Sequence, residues 1–327
     1  MPQSKIALIA DDVTRLCLSH ECQVLSITPW NYAVVFKLWR PDLLFVESAW
    51  QGRWGSWRYR IASYPEFPER TNRSLTRVVT AAREAGIPAV FWNREDDAHF
   101  DRFIGSARLF DRVLTVDRNM VPRYQELLTA GARIDVMMFA AQPAFHFPTG
   151  EEPARRAAFV GSYSQHTHFS RKAWQDRMFQ AAEEISLTVY DRNSDRRSGN
   201  YRYPERPWIE VRNAVPHTQT GSIYRSHAVN LNVNTITGSP TAFSRRLVEI
   251  LACGGYMLSN PTEAVDQHFR DFCVATDDAE EARSLFARIA SEGLSPQQRE
   301  QARAGADYVK AHHTWRHRLA QIMEMAG

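Results

Sequence analysis

The sequence lacks several features that mark particular classes of protein. No apolar run approaches the roughly 18 residues needed to span a membrane, and the start, MPQSKIALIADD, has no basic segment before a long apolar stretch. We therefore expect neither a membrane span nor a signal peptide. The chain has only four cysteines, none in a CxxC pair, and no His/Cys cluster has zinc spacing. These cysteines are interpreted as reduced core thiols of a cytoplasmic protein.

A strong charge of one sign is also missing. The chain of 327 residues has 40 basic and 37 acidic residues, for a formal net charge of +3. Proteins that bind nucleic acid concentrate basic residues on one face, so no nucleic-acid partner is expected. The specific nucleotide motifs, a Walker loop and GxGxxG, are absent as well.

Short apolar runs alternate with helical patterns in the first half. Strands are predicted at 5–10, 22–27, 42–48, 87–93, 109–116 and 133–140, and helices at 75–86 and 119–132. Continuous apolar strands between helices are typical of a parallel sheet covered on both faces. Ligands of such sheets bind beyond the carboxyl ends of the strands.

The second half has the same organisation. Strands are predicted at 156–162, 186–191, 228–234, 256–260 and 272–276, and helices at 169–185, 218–226, 242–252, 278–290 and 295–325. An arginine-rich stretch at 192–207 is predicted to be a loop. The proline-rich stretch 140–156 predicts an interdomain linker. We expect domains at 1–142 and 156–310, a linker at 143–155, and a C-terminal helix at 311–327 that packs back toward the N-terminal domain.

Glu249 interrupts the apolar pattern of the helix in SRRLVEILACGGYMLSN (244–260). A carboxylate beside a cleft can accept two hydrogen bonds from a sugar diol. The alternative is a solvated glutamate that pairs with Arg245 or Arg246. Gly254 and Gly255 end this helix, although a C-cap needs one glycine only, so the pair also suits a close approach of a ligand or a neighbouring domain.

Two further segments of the second half suit phosphate. In TGSPTAFSRR (237–246), a helix beginning near Ala242 would present free N–H groups, or would have an ordinary Ser/Thr cap and no ligand. In FVGSYSQHTHFSRK (159–172), Gly161 and Ser162 can expose backbone donors, and Arg171 or Lys172 can neutralise a diphosphate. The alternative for this second segment is a helix start with basic surface residues.

Acidic and aromatic residues follow two strands of the first half. Glu95, Asp96, Asp97 and His99 lie in FWNREDDAHFDRF (91–103), where a carboxylate can act as a general base or can cap the following helix. VESAWQGRWGSWRY (46–59) places Glu47 and three tryptophans in a loop. These rings suit stacking on sugars, and burial against the sheet is the alternative.

Together these segments resemble the GT-B glycosyltransferases, most closely the CgeB-like group. The resemblance is carried by GSPTAFSRRLVEILACGGYMLSN, FVGS near 159, IYRSHAVNLNVN (223–234), AHHTWRHRL (311–319), PDLLFVESAWQGRWGSW and FWNREDDAHFDRF. It implies an α/β fold with two Rossmann-like domains whose parallel sheets face a central cleft. It also implies a metal-independent enzyme without a cofactor, in agreement with the missing DxD motif.

The resemblance also implies roles for individual residues. Glu249 matches the glutamate that binds the donor ribose, and Arg246 and Arg171 match positions expected to contact the diphosphate. Thr241 stands eight positions before Glu249, where many retaining members have a second glutamate, so the stereochemical outcome stays open. The donor-binding residues expected are Glu249, Arg246, Arg245, Ser244, Thr241, Gly161, Ser162, Arg171, Gly254 and Gly255. The candidate bases are Asp96 first, then Glu95, Asp11 and Asp12. The acceptor-side residues expected are Glu47, Trp50, Trp54 and His99.

The activity that the resemblance implies is sugar transfer from a nucleoside-diphosphate sugar to an acceptor hydroxyl, in bacterial surface polysaccharide or glycoconjugate synthesis. The acceptor can be a saccharide, a lipid-linked sugar or a protein. Peripheral membrane contact is left open, because 192–206 and HHTWRHR are basic. Two alternatives remain: a sugar-nucleotide epimerase of the same fold, and a non-catalytic carbohydrate-binding or scaffold protein.

Overall fold

The computed structural model describes residues 4–327 and places them in two compact units. Unit 1 contains the chain up to Met138 together with Trp315–Gly327, and unit 2 contains Phe139–Thr314. Each unit is built on one six-stranded sheet. No helix of the described chain has the length and apolar character that crossing a bilayer requires.

Unit 1 alternates strands and helices. Its strands are β1 (Lys5–Ile9), β2 (Gln23–Ser26), β3 (Leu43–Glu47), β4 (Ala89–Asn93), β5 (Arg112–Thr115) and β6 (Arg133–Val136). Its helices are α1 (Asp12–Leu18), α2 (Tyr32–Val34, continued by a π-helical segment Val35–Trp39), α3 (Arg73–Glu84), α4 (Phe100–Ala107) and α5 (Val121–Leu127). Short 3-10 helices cover Arg53–Gly55 and Arg118–Met120. All neighbouring strands pair in parallel, in the order β2-β1-β3-β4-β5-β6.

Unit 2 repeats this alternation. Its strands are β7 (Ala154–Gly161), β8 (Leu187–Asp191), β9 (Ile209–Asn213), β10 (His227–Asn232), β11 (Met257–Ser259) and β12 (Val274–Ala275). Its helices are α6 (Phe169–Ala181), α7 (Thr220–Ser226), α8 (Arg245–Ala252), α9 (Glu263–His268), α10 (Ala279–Glu292) and α11 (Pro296–His312). Short 3-10 helices cover Ala182–Glu184, Gly199–Tyr201, His217–Gln219 and Arg270–Phe272. The parallel order is β12-β11-β10-β7-β8-β9. The last helix, α12 (Trp315–Ala326), belongs to unit 1.

Apolar runs form the buried strands, as the sequence pattern predicts. All five residues of β3 are buried, and so are all six of β10. Strands of this kind bury both faces under helices, so their side chains need no polar alternation. The core of unit 1 includes Val46 and Phe91, and that of unit 2 includes Phe159 and Leu231.

Several elements differ from the sequence prediction. Strand β9 lies inside a stretch to which no strand was assigned, because it is an edge strand with four exposed residues and an unclear apolar pattern. Helices α1, α2, α4 and α9 were not predicted either. β7 begins at Ala154, inside the stretch predicted as a linker at 143–155. The four cysteines are buried free thiols.

Candidate functional site

The carboxyl edge of the unit 2 sheet contains a network of buried amides. Asn234 follows β10, and its backbone N–H donates to Asn260 Oδ1 (2.7 Å), just beyond β11. The Asn234 side chain accepts from the backbone N–H of Ser244 (2.7 Å), the residue before α8. Two strand ends therefore fix the position at which α8 begins. Parallel α/β sheets bind ligands at this edge.

Helix α8 begins at Arg245, three residues later than the predicted start near Ala242. The backbone N–H groups of Thr241 and Ala242 donate to Ser239 Oγ at 3.3 and 3.0 Å instead of starting the helix. The N–H groups of Thr241 and Ala242 are thus already used, and the Thr241 side chain is buried, so a helix start near Ala242 with free N–H groups at these two residues is not observed. Ser244 has extended backbone, and its side chain makes no capping hydrogen bond.

Arg246 places a buried guanidinium group at the centre of this edge. Nη1 donates to Val160 O (2.7 Å), Nη2 to Val233 O (3.1 Å), and Nε to Asn232 Oδ1 (3.2 Å). The group also lies over the Phe159 ring, 4.6 Å from its centroid. A Cβ at Gly161 would lie 2.7 Å from Nη1, so this position requires glycine. Gly161 therefore leaves the space that the Arg246 guanidinium group occupies.

A second guanidinium group, that of Arg171 on α6, lies near that of Arg246. Arg171 and Arg246 together are called the arginine cluster. Its Nη2 donates to the backbone carbonyl of Ser162 (3.0 Å), the residue after β7. Arg171 and Arg246 have only neutral hydrogen-bond acceptors, and within residues 4–327 neither has a carboxylate partner. The neighbouring Lys172, by contrast, pairs with Asp176 at 2.6 Å.

Two polar atoms of this cluster are buried without a hydrogen-bond partner: Arg171 Nε and the Tyr203 hydroxyl. Buried donors in proteins almost always have a partner, so each of these atoms needs an explanation. Burial lowers the pKa of Arg246 to about 10, and repulsion from Arg171 acts in the same direction. Burial also lowers the pKa of Arg171, and Arg192 adds to this effect. The arrangement concentrates positive charge and unsatisfied donors, as a site for an anion would.

One carboxylate lies near the cluster. Asp191 ends β8, is buried, and accepts the backbone N–H of Asn193 (2.8 Å). Burial raises its pKa, and the Asn193 hydrogen bond opposes that rise. Burial raises the pKa of the Tyr203 hydroxyl, and the negative charge of Asp191 raises it further. Neither arginine pairs with it.

Glu249 is buried in the middle of α8. Its Oε1 accepts from Arg245 Nε (2.9 Å) and lies 3.5 Å from His217 Nε2, and its Oε2 accepts from the Tyr224 hydroxyl at 3.4 Å. Burial acts to raise the pKa of Glu249, but His217 and Arg245 outweigh it and hold the pKa at about 2. The residue thus pairs with Arg245, as the alternative interpretation expected, but it is buried and not solvated.

The two glycines after α8 have structural explanations. Gly254 has φ +67°, the left-handed conformation common after a helix. A Cβ at Gly255 would lie 2.9 Å from Asn230 Nδ2 and 3.0 Å from Ile250 Cγ2. Both glycines lie before β11, at the amino edge of the sheet and away from the arginine cluster. This corrects the expectation that they approach the donor.

Asp96, the first candidate for a base, is enclosed by hydrogen bonds in unit 1. Its carboxylate accepts from Asn93 Nδ2 (2.6 Å), Thr115 Oγ1 (2.6 Å) and the Tyr124 hydroxyl (2.9 Å), and the residue is 4% exposed. Burial raises its pKa to about 7, against the opposing effect of Thr115 and Tyr124. This geometry describes a buried structural acid, so it gives no support to a base that reaches an outside hydroxyl.

Asp11, which is partly exposed, and Glu47, which is buried, form a second network in unit 1. Asp11 accepts backbone N–H groups of the 50–52 loop, the shortest from Gly52 at 2.7 Å, and also pairs with Arg94 Nη2 (2.7 Å). Glu47 is fully buried; it accepts from Thr14 Oγ1 (2.5 Å) and from the backbone N–H of Asp11 (2.7 Å). Burial raises the pKa of Glu47, and Arg94 opposes this. Both carboxylates hold loops together, which corrects the expectation that Glu47 faces an acceptor.

The remaining unit 1 candidates lie in different environments. Asp12 pairs with Arg15 in the first turn of α1, at 3.2 Å, and Glu95 lies 3.7 Å from Arg94. Trp50 is half-buried and packs edge-on against His99, with ring centroids 5.3 Å apart. Trp54 is 80% exposed, with Arg53 over its ring. Of the loop tryptophans, Trp54 is therefore the one whose ring is open to solvent.

Comparison with known proteins agrees with this architecture. Residues 171–324 match the family model described as glycosyl transferase-like. No curated protein matches the sequence. An alpha-glucosyltransferase solved with UDP and a 13-mer DNA containing an HMU base has a TM-score of 0.66 and 11% identity, with 99% of each chain covered. Anabaena HepE, solved with UDP and glucose, has a TM-score of 0.61 and 10% identity, with 98% of this chain and 99% of that chain covered.

A third similar structure is the sucrose-phosphate synthase of Thermosynechococcus elongatus, with a TM-score of 0.59, 10% identity, and 99% of this chain and 98% of that chain covered. The chain has the GT-B fold. The prediction of an α/β GT-B protein with parallel sheets is confirmed. At these identities the likeness establishes the fold, and residue roles must be argued from the site itself.

Sequence reasoning missed several residues of the unit 2 site. Arg192 follows β8 directly and its backbone N–H donates to Gly161 O (2.8 Å), whereas the sequence pattern places it in the arginine-rich loop at 192–207. Tyr203 lies in the same loop. His217 and Tyr224 contact Glu249 from the segment before β10. Arg192 alone had a usable signal: its place at the carboxyl end of a predicted strand.

Proposed function

We propose that this protein is a glycosyltransferase that transfers a sugar from a nucleoside-diphosphate sugar to an acceptor hydroxyl. One observation carries the proposal. Arg171 and Arg246 lie at the carboxyl edge of the unit 2 sheet without a carboxylate partner, and Arg171 Nε and the Tyr203 hydroxyl are buried and unsatisfied there. A donor diphosphate would supply both the negative charge and the oxygen acceptors.

The chemistry follows from this charge. As the sugar leaves, negative charge grows on the diphosphate, and fixed guanidinium groups stabilise it without reorganisation. Arginine suits this role because its planar fork matches phosphate oxygens and stays protonated. We extend the proposal to a reaction that needs no divalent ion at the diphosphate, since Arg171, Arg192 and Arg246 supply positive charge from the chain.

Glu249 is the proposed contact of the donor ribose. It stays ionised at neutral pH, because its pKa is held at about 2. A carboxylate has about four acceptor positions, and Tyr224 at 3.4 Å is a weak partner for Oε2. Ribose hydroxyls can therefore bind there once the side chains over Glu249 shift, since the residue is only 3% exposed.

UDP is the first nucleotide to test, because two of the similar structures were solved with it. The resemblance to the CgeB-like group supports a place in bacterial surface polysaccharide or glycoconjugate synthesis. The acceptor, the catalytic base and the stereochemistry are not assigned, because the candidate acids of unit 1 are already engaged in buried networks or surface pairs.

A binding experiment tests the proposal. The melting temperature of the full chain is measured with UDP, dTDP, GDP, CDP and ADP, and the stabilising nucleotide is titrated by calorimetry. We expect Arg171→Gln to weaken binding by about tenfold or more, because a hydrogen bond to a charged group contributes about 1.5–3 kcal/mol. Lys172→Gln is the matched control on the same helix turn, since Lys172 is paired with Asp176.

Two outcomes would contradict the proposal. Failure of all five nucleotides to stabilise the chain would favour a non-catalytic protein. Equal affinities of the two variants would remove Arg171 from the site. Incubation with the matching sugar nucleotide and no acceptor then separates the rival epimerase, which would release an epimerised donor.

A further inference from the structure

Two histidines accompany Glu249 inside unit 2. His146 lies before β7, His217 begins the 3-10 turn before α7, and the possible ligand atoms of the three residues lie within 4.8 Å of one another. His146 is 2% exposed, and the side chains of His217 and Glu249 are 12% and 5% exposed. Three such groups converge from separate segments of unit 2.

The tautomer of His146 follows from its neighbour. Thr220 Oγ1 donates its proton to the backbone carbonyl of His217 (2.8 Å), so it can only accept from His146 Nε2, 2.9 Å away. His146 therefore carries its proton on Nε2. Its Nδ1 has a bare lone pair, and this atom is buried without a hydrogen-bond partner. A histidine held by one ring N–H with the other nitrogen free is the arrangement that second-shell partners impose on metal ligands.

The chemistry of the three groups suits a divalent cation as well. Imidazole nitrogens and carboxylate oxygens are the protein ligands, beside thiolates, that zinc binds. Two histidines and one glutamate make up the protein ligands of several zinc sites.

We propose that His146, His217 and Glu249 bind a divalent transition-metal ion, with Zn²⁺ as the reference ion. Ligands around tetrahedral zinc lie about 3.4 Å apart, so side chains at the wider separations must close in by about 1 Å. Arg245 opposes binding, because its Nε lies 2.9 Å from Glu249 Oε1. The second oxygen, Oε2, has only the 3.4 Å contact with the Tyr224 hydroxyl, and it is the one that we assign to the ion. The inference goes beyond the proposed function and does not depend on it.

Zinc binding to the full chain provides the test. The protein is stripped with EDTA, dialysed, and titrated with Zn²⁺ in competition with a chromogenic chelator. We expect one equivalent to bind, and we expect His146→Gln and Glu249→Gln each to weaken it at least tenfold. Gln at position 146 keeps a donor for Thr220. His166→Gln, at an exposed histidine, is the matched control and should bind zinc like the parent chain.

Arg245→Gln gives a prediction of the opposite sign. Removing this cation should tighten Zn²⁺ binding at least tenfold, a gain that a misfolded variant would not show. Less than one equivalent in the parent chain, or unchanged affinity in His146→Gln and Arg245→Gln, would overturn the inference.

The UDP titration is repeated on the metal-free chain to separate the two proposals. UDP binding that depends on Arg171 in a chain that fails to bind Zn²⁺ would leave the proposed function standing and remove the metal site. Zn²⁺ binding by a chain that binds no nucleotide would leave the metal site standing and remove the proposed function. If both hold and Glu249 contacts ribose, Zn²⁺ should weaken UDP binding, because the two ligands share this carboxylate.

Discussion

Replacing Gly161 by alanine tests the arginine cluster without removing any charge. The new Cβ would lie 2.7 Å from Arg246 Nη1 and 2.7 Å from Phe159 Cζ. Real Cβ contacts are longer than 3.0 Å, so one group must move. Arg246 cannot move freely, because its guanidinium donates to Val160 O, Val233 O and Asn232 Oδ1 and lies over the Phe159 ring.

The magnitude follows from these contacts. Overpacking a tight site costs about 1–3 kcal/mol. Loss of the hydrogen bond from Nη1 to Val160 O, a bond from a charged group, costs about 1.5–3 kcal/mol. Since the strain is relieved by one route or the other, we expect Gly161→Ala to lower the free energy of unfolding by about 1–3 kcal/mol. If the nucleotide diphosphate binds at Arg246, its affinity should fall about tenfold or more, because the guanidinium is displaced.

Denaturant unfolding and calorimetric titration with UDP measure the two quantities. Gly199→Ala is the matched control in the same unit, because a Cβ there has no atom within 4 Å. A Gly161→Ala variant that is folded and that binds UDP as the Gly199→Ala variant does would refute the placement of the diphosphate at Arg246.

Two further predictions concern pH. The pKa of Glu249 is depressed to about 2, so its ionised form stabilises the folded chain above pH 4.5 and this stability is lost as the pH falls toward 2. Glu249→Gln should therefore show a smaller loss of melting temperature between pH 5 and pH 3 than the parent chain, and an identical loss would contradict the pairing with Arg245. The pKa of Asp96 is raised to about 7, so the folded chain holds a proton that the unfolded chain releases, and stability should decline as the pH rises from 4 to 7. Asp96→Asn should remove that decline. An equal change of melting temperature between pH 5 and pH 8 in the variant and in the parent chain would refute this prediction.

The paired α/β architecture was predictable because it depends on local pattern. Buried strands such as 43–47 and 227–232 appear as apolar runs, and the end of α3 near Gly86 appears as a glycine that adopts φ +70°. Edge strand β9 was not predictable in the same way. Two of its four exposed residues, Glu210 and Arg212, are charged, and only pairing with β8 makes the segment a strand.

For the candidate site, the sequence by itself determined that Arg171 and Arg246 lie near the starts of two helices of the second half, and that Glu249 lies within the second of these helices. Only the tertiary structure decided which charges are paired. It paired Lys172 with Asp176 and Arg245 with Glu249, and it left Arg171 and Arg246 with neutral acceptors. It also brought His146 and His217 to Glu249 and enclosed Asp96. The physical reason is that pairing and burial depend on distances between segments far apart in the chain, and a local pattern contains no information about those distances.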